Sequence, residues 1–302
     1  STTLFTKIYL FIGFGLITSL FVLLNVYLAF KRRPVYVSMA IDGDNLDRYR
    51  AQIEPLRKVA FAAIGAAVFY FAGSAGTSLW RTWLLFKNST DFGVKDAQFN
   101  LDISFFAFRL PFWQSMISWA FSALILAIVA SAAVHYLYGG FRPQMRQDRT
   151  TPFARAQLSV LLGLVVLLKG VAYWFDRYAL ALKENKLITG LTYSDVNALL
   201  PAKAILAGIA VICSLLFFAN IFRKSWFLPA SGTVLLVISA VLIAGVYPAA
   251  IQTFQVKPSE SSKEAPYIQR NIDATRAAYG LTNVDVQEYN ALVSPNAGQL
   301  AG

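Results

Sequence analysis

The chain has 302 residues, 57% of them hydrophobic and only 14% charged. That is too apolar for an ordinary soluble domain, in which about a quarter of residues are charged. Its net charge of +11 would point to nucleic acid in a soluble protein, but in a chain this apolar the cations first report loop orientation, and no nucleic-acid partner is expected. The one cysteine, Cys213, excludes an intrachain disulfide.

Apolar runs predict six membrane-spanning helices, at about 8–30, 59–80, 111–138, 156–174, 202–222 and 230–253. None of the runs shows strand-like alternation, and a backbone inside lipid must satisfy its own hydrogen bonds, so the fold class is an all-α polytopic bundle. The loops 31–58, 140–155 and 222–229 hold thirteen Lys and Arg, against eight in 81–110 and 176–203. This excess places the first set in the cytoplasm. Trp80, Trp83, Trp113 and Trp174 fall at the predicted outer ends, where indoles favour the headgroup level. Trp119 lies deeper, where packing between helices is expected.

The outer connections are the distinctive parts. In the segment Asp96–Trp113, DAQFNLDISFFAFRLPFW, apolar Phe99, Leu101, Ile103 and Phe105 alternate with Asn100, Asp102 and Ser104. The alternation predicts an extended interfacial segment, with Arg109 available to Asp102 or to headgroups, and Pro111 in the first turn of the third span. In LTYSDVNALLP, Thr192 and Asp195 have the spacing of a helix-capping pair, and Ser194, Asp195 and Asn197 lie on a short half-helix ended by Pro201. Beyond the sixth span, KPSESSKEAPYIQR reads as a polar linker, followed by a short helix opening at Pro266 and closed by Gly280. Val284 and Val286 fit a strand. Residues 1–256 are therefore expected to form the helical bundle, and 257–302 a linker and the start of an extracytoplasmic domain.

Five stretches carry a resemblance: NVYLAFKRRPVY, FGVKDAQFNLDISFFAFRLPFW, LLKGVAYWFDRYAL, YSDVNALLPA and YPAAIQTFQVKPSESSKEAPYIQRNIDATRAAYGL. In these the chain resembles the membrane region of a large uncharacterised protein family of actinobacteria and cyanobacteria, uncharacterised protein family 0182. The alanine of KDAQF stands where relatives usually carry proline. The resemblance implies seven N-terminal spans, one of them before Ser1, and a large extracytoplasmic domain after Gly302. It implies no activity.

No phosphate loop, GxGxxG, HExxH or CxxC is present. No catalytic residue, metal ligand or cofactor is assigned, and the region is expected not to be an enzyme. His135, the sole histidine, is expected to hydrogen-bond between helices. Ser74 in AGSAG, and the pairs Ala62/Ala66, Ala63/Ala67, Ala204/Gly208 and Gly245/Ala249, read as helix-packing positions. Lys169 lies within the fourth span, with Tyr173, Asp176 and Arg177 at i+4, i+7 and i+8 on one helical stripe. The stripe fits either a polar path or ion site, or a lysine that snorkels outward. The expected role is a scaffold or assembly component of the cell envelope or of a larger membrane complex, in the bacterial plasma membrane. Its expected partners are membrane lipids, other envelope proteins and, as a further option, copies of itself. The alternative is a transporter or channel with a path near Lys169.

Overall fold

The computed structural model describes residues 2–33, 43–141, 150–185, 188–222 and 227–284. Its helices are α1 (Thr2–Lys31), α2 (Gly43–Ser78), α3 (Trp80–Lys87), α4 (Leu110–Leu137), α5 (Pro152–Ala179), α6 (Leu200–Ala219), α7 (Phe227–Val241), α8 (Tyr247–Ala250) and α9 (Glu260–Ala278). Among the described residues strand-like pairing is confined to three isolated bridges, Lys95 with Asp102, Phe141 with Thr150 and Glu184 with Thr189. The fold is the expected all-α helical bundle.

Six helical runs are long and apolar enough to cross a membrane: Thr2–Lys31, Glu54–Ser78, Phe105–Leu137, Pro152–Leu182, Asp195–Ala219 and Pro229–Ala278. They match the six predicted spans in order, but their ends reach further. Hydropathy stops at the first polar residues, whereas the i→i+4 ladder continues through them. Apolar side chains also point away from the protein, as Tyr9, Phe71 and Phe254 do. A helix apolar on all sides is suited to lipid.

The largest departure from the sequence reading is at prolines. Helical backbone begins at Ile103 and Tyr193, ahead of Pro111 and Pro201. Each approach contains a π turn, Phe105–Arg109 or Asp195–Leu199, and two more occur at Leu242–Val246 and Ile251–Val256. Every one of these turns ends two residues before a proline, namely Pro111, Pro201, Pro248 and Pro258. Proline has no N–H, and its ring collides with the carbonyl four residues back. A wider turn moves that carbonyl aside. The residue just before the proline makes the long bond instead, Leu110 N–H to the Phe105 carbonyl and Leu200 N–H to that of Asp195. π turns often mark functional sites, but here the prolines are a sufficient cause. The expected Ser194–Pro201 half-helix is therefore continuous with α6. The expected linker after residue 256 is also helical: a 3-10 turn at Lys257–Ser259 leads into α9, which holds Pro266 in its interior. Gly280 closes that run at φ 68°. The expected strand at Val284 and Val286 extends past the described residues.

Neighbouring helices follow one order: α2 against α1, α1 against α4, α4 against α5, α5 against α6, and α6 against α7. Val22, Val26, Leu124, Ala127 and Leu161 form the apolar core where α1, α4 and α5 meet. The close approach of α1 and α2 is made by glycines. A Cβ on Gly15 would lie 2.8 Å from the Phe69 carbonyl oxygen, and one on Gly73 would lie 2.8 Å from that of Phe11. Ala62, Ala63, Ala66 and Ala67, expected at a helix contact, are exposed instead. Gly208 and Gly245 also face open space, and the α5–α6 contact is made at Gly163 and Gly170.

Several polar groups in the bundle are paired across helices. Trp119 Nε1 donates to Thr18 Oγ1 at 3.0 Å. His135 is buried with Nε2 at 2.9 Å from Gln157 Oε1, and Gln157 Nε2 donates to the Asn25 carbonyl at 2.8 Å. The expectation for His135, a hydrogen bond between helices, is met. At the same end Arg33 forms a two-pronged ion pair with Glu54 at 3.0 and 3.1 Å, and Tyr138 donates to the same carboxylate at 3.3 Å. This cluster locks α1, α2 and the end of α4 together.

Candidate functional site

The opposite end of the bundle carries the distinctive segments, and each is organised by one carboxylate. In the connection between α3 and α4, Asp102 accepts from the backbone N–H groups of Phe92, Gly93 and Ser104 at 3.0, 2.9 and 2.8 Å. The hydrogen bond from Phe92, followed by those from Ser104 and Gly93, holds its carboxyl at about 2, below the usual 3.8. Asp96 closes the adjoining turn by accepting from the N–H groups of Gln98 and Phe99 at 2.8 and 2.7 Å. Asn100 completes that turn with φ 54°, a left-handed conformation that asparagine tolerates. The expected extended run over Phe99–Phe105 is thus a tight turn, one bridge and then helix. Arg109 does not pair with Asp102, whose oxygens are taken by backbone. It reaches Asp91 instead at 3.0 Å.

The connection between α5 and α6 is built on Asp195, which is 2% exposed. It accepts from Lys183 Nζ at 2.7 Å, Thr192 Oγ1 at 2.8 Å and Thr192 N at 3.1 Å. Asp195 N donates back to Thr192 Oγ1 at 3.4 Å, which completes the capping pair read from the sequence. Ser194 Oγ lies 3.2 Å from Thr192 Oγ1. A buried charge needs such partners, and Asp195 has three.

Helix α9 fastens the two connections to each other. The buried Glu264 accepts the Tyr193 N–H on both oxygens, at 3.0 and 3.2 Å. That amide opens the helical run into α6, so the carboxylate also meets the positive end of a helix. Asn197 Nδ2 donates to the Tyr193 carbonyl at 2.9 Å and to the Tyr267 hydroxyl at 3.4 Å. Asn271 Nδ2 donates to the Thr189 carbonyl at 2.8 Å, and Arg270 reaches Gln98 Oε1 at 3.2 Å. Lys263 Nζ lies 4.8 Å from the centre of the Tyr193 ring. Between α9 and the two connections is a cleft of about 620 Å³, lined in part by Lys95, Asp96, Asn271 and Asp273.

The Lys169 stripe lies apart from this fastening. Lys169 Nζ sits 4.6 Å from the centre of the Tyr173 ring. Asp176 pairs with Lys203 of α6 at 3.0 Å. Arg177 turns to Trp174, 4.4 Å from its ring centre. The structure therefore brings Lys169, Tyr173 and Asp176 into one neighbourhood, adds Lys203 and sends Arg177 elsewhere. Among the described residues no group of three or more His, Cys, Asp or Glu could hold a metal.

The model of an uncharacterised protein family, UPF0182, matches residues 1–301. The chain belongs to this family. It is 50% identical to a UPF0182 protein of Streptomyces coelicolor over 96% of this chain and 29% of that protein. It is 47% identical to one from a Nocardioides species over 98% of this chain and 30% of the relative, and 46% identical to one from Thermobifida fusca over 99% and 30%. The chain thus spans about three-tenths of the length of these relatives. No solved structure matches it. Membership fits the sequence resemblance and brings no activity with it.

Two residues central to this end, Glu264 and Lys203, were not singled out from the sequence. Glu264 stands in a stretch read as linker, and its partner is a backbone amide 71 positions away. Lys203 follows Pro201 and reads as an ordinary interfacial lysine. The capping pair Thr192–Asp195 was visible because both members lie within one turn.

Proposed function

We propose that this region is a membrane scaffold of the bacterial plasma membrane that anchors and orients an extracytoplasmic domain, within the cell envelope or a larger membrane complex. The observation that carries the reading is the fastening of α9. One helix following the last span makes side-chain hydrogen bonds to both connections at one end of the bundle, through Glu264, Tyr267, Arg270 and Asn271. Such an arrangement fixes the direction in which the chain leaves the bundle. The Lys and Arg excess of the loops 31–58, 140–155 and 222–229 supports a cytoplasmic position for them and an extracytoplasmic one for α9. The lack of catalytic signatures supports a role other than catalysis for this region.

The test is co-purification of the full-length protein in mild detergent, as wild type and as the double variant Glu264→Ala, Asn271→Ala. A scaffold retains stoichiometric envelope proteins as wild type and loses them when α9 is unfastened. If the full-length protein purifies alone, or Lys169→Ala folds normally yet abolishes solute uptake in proteoliposomes, the scaffold reading fails. Cysteine labelling at Asp96 and Arg146 checks orientation, and labelling of Arg146 from outside would overturn it.

A further inference from the structure

One cluster has no part in the α9 fastening. Lys169 Nζ and Lys203 Nζ both lie against the Tyr173 ring, 4.6 and 5.8 Å from its centre. The two ammonium groups come from different helices, and one carboxylate lies beside them. That carboxylate, Asp176, is engaged by Lys203, whose side chain is only 18% exposed. Among the described residues the Lys169 ammonium has no hydrogen-bond or ion-pair partner, and neither does the Tyr173 hydroxyl. The neighbourhood thus carries one positive charge more than its own anion neutralises, with an idle O–H donor beside it.

Depth and rigidity make this more than a stray lysine. The Lys169 ammonium lies against the ring of Tyr173, the residue one turn on toward the C-terminus of α5. Phe175, two residues beyond Tyr173, is 6.1 Å from the Trp113 ring, at the level where indoles meet headgroups. The backbones of α5 and α6 are in close contact just below: a Cβ on Gly170 would lie 3.2 Å from the Ala207 carbonyl oxygen. The positions of Lys169, Tyr173 and Lys203 are therefore fixed by helix packing. An ammonium at this level without a protein anion is open to an anionic group that reaches it from the membrane.

We propose that Lys169, Lys203 and Tyr173 form a binding site for the phosphate of an acidic phospholipid. The phosphodiester oxygens accept from the two ammonium groups and from the Tyr173 hydroxyl, and Asp176 holds Lys203 in place.

The test is native mass spectrometry of the full-length protein in mild detergent, titrated with phosphatidylglycerol, with phosphatidylcholine as the zwitterionic control. Wild type is expected to retain phosphatidylglycerol at least tenfold more strongly than phosphatidylcholine. Lys169→Gln, which leaves no protein partner orphaned and so spares the fold, is expected to lose most of that preference. Lys169→Arg is expected to keep it. Millimolar inorganic phosphate is expected to leave the bound lipid in place. Equal phosphatidylglycerol retention by wild type and Lys169→Gln would overturn the proposal. Displacement of the lipid by inorganic phosphate would overturn it in favour of a free-phosphate site. Absence of any acidic-lipid preference in the full-length protein would overturn it as well.

Discussion

Removing the Glu264 carboxylate tests the fastening of α9 most directly. Glu264 is 5% exposed, and its oxygens take the Tyr193 N–H at 3.0 and 3.2 Å. A hydrogen bond to a charged group contributes about 1.5–3 kcal/mol, and the favourable position at a helix N-terminus adds about 0.3–1 kcal/mol. Burial limits screening, so Glu264→Ala is expected to weaken the attachment of α9 by about 2 kcal/mol, equivalent to about 30-fold faster local opening. The assay is amide hydrogen exchange followed by mass spectrometry, comparing peptides from α9 with peptides from α1 and α4. Exchange in α9 should rise about 30-fold while α1 and α4 stay unchanged. Glu264→Gln keeps an acceptor oxygen and loses the charge, so its effect should be smaller, about fivefold. Unchanged exchange of α9 in Glu264→Ala would refute the reasoning, because the helix would then be held by something other than this carboxylate. Accelerated exchange throughout the bundle would refute it differently, making Glu264 a determinant of the whole fold.

Other outcomes follow from the same geometry. Gly73→Ala places a methyl 2.8 Å from the Phe11 carbonyl oxygen and should cost about 1–3 kcal/mol in unfolding from detergent, whereas Gly245→Ala, facing open space, should not destabilise. Gln157→Leu leaves the buried His135 without its 2.9 Å partner and should cost about 1–3 kcal/mol in the same measurement. Asp102 has its pKa lowered to about 2 by backbone donors, so its contribution is complete above the unfolded value of 3.8 and is lost as pH falls through about 2. Exchange at the Phe92 and Gly93 amides should therefore rise across that interval, and Asp102→Asn should remove the step.

What the sequence disclosed divides by the range of the interaction. The six apolar runs, the capping pair Thr192–Asp195 and the inter-helix role of His135 rest on local pattern or on strong burial rules, and each has its counterpart in the structure. The helix contacts were legible only in part. The small-residue stretch AGSAG does supply the contact, through Gly73 and Gly76, while Ser74 itself is exposed. Ala62/Ala66 has the spacing of a packing motif, yet Gly15 and Gly73 make the contact because only a residue without Cβ fits 2.8 Å from a facing carbonyl. Arg109 was close enough in sequence to suggest Asp102, but three backbone amides had already filled that carboxylate. Proline misled most. It usually begins or ends a helix, and the sequence does not show that a widened turn upstream lets the helix continue.

That continuity has a mechanical meaning. From Pro229 to Ala278 the backbone is one helical run of 50 residues, with no loose tether between the last span and α9. A pull on α9 is therefore transmitted as torque and tension along a shaft. The compliant points of that shaft are the two widened turns ahead of Pro248 and Pro258, where it would bend before the bundle itself is strained.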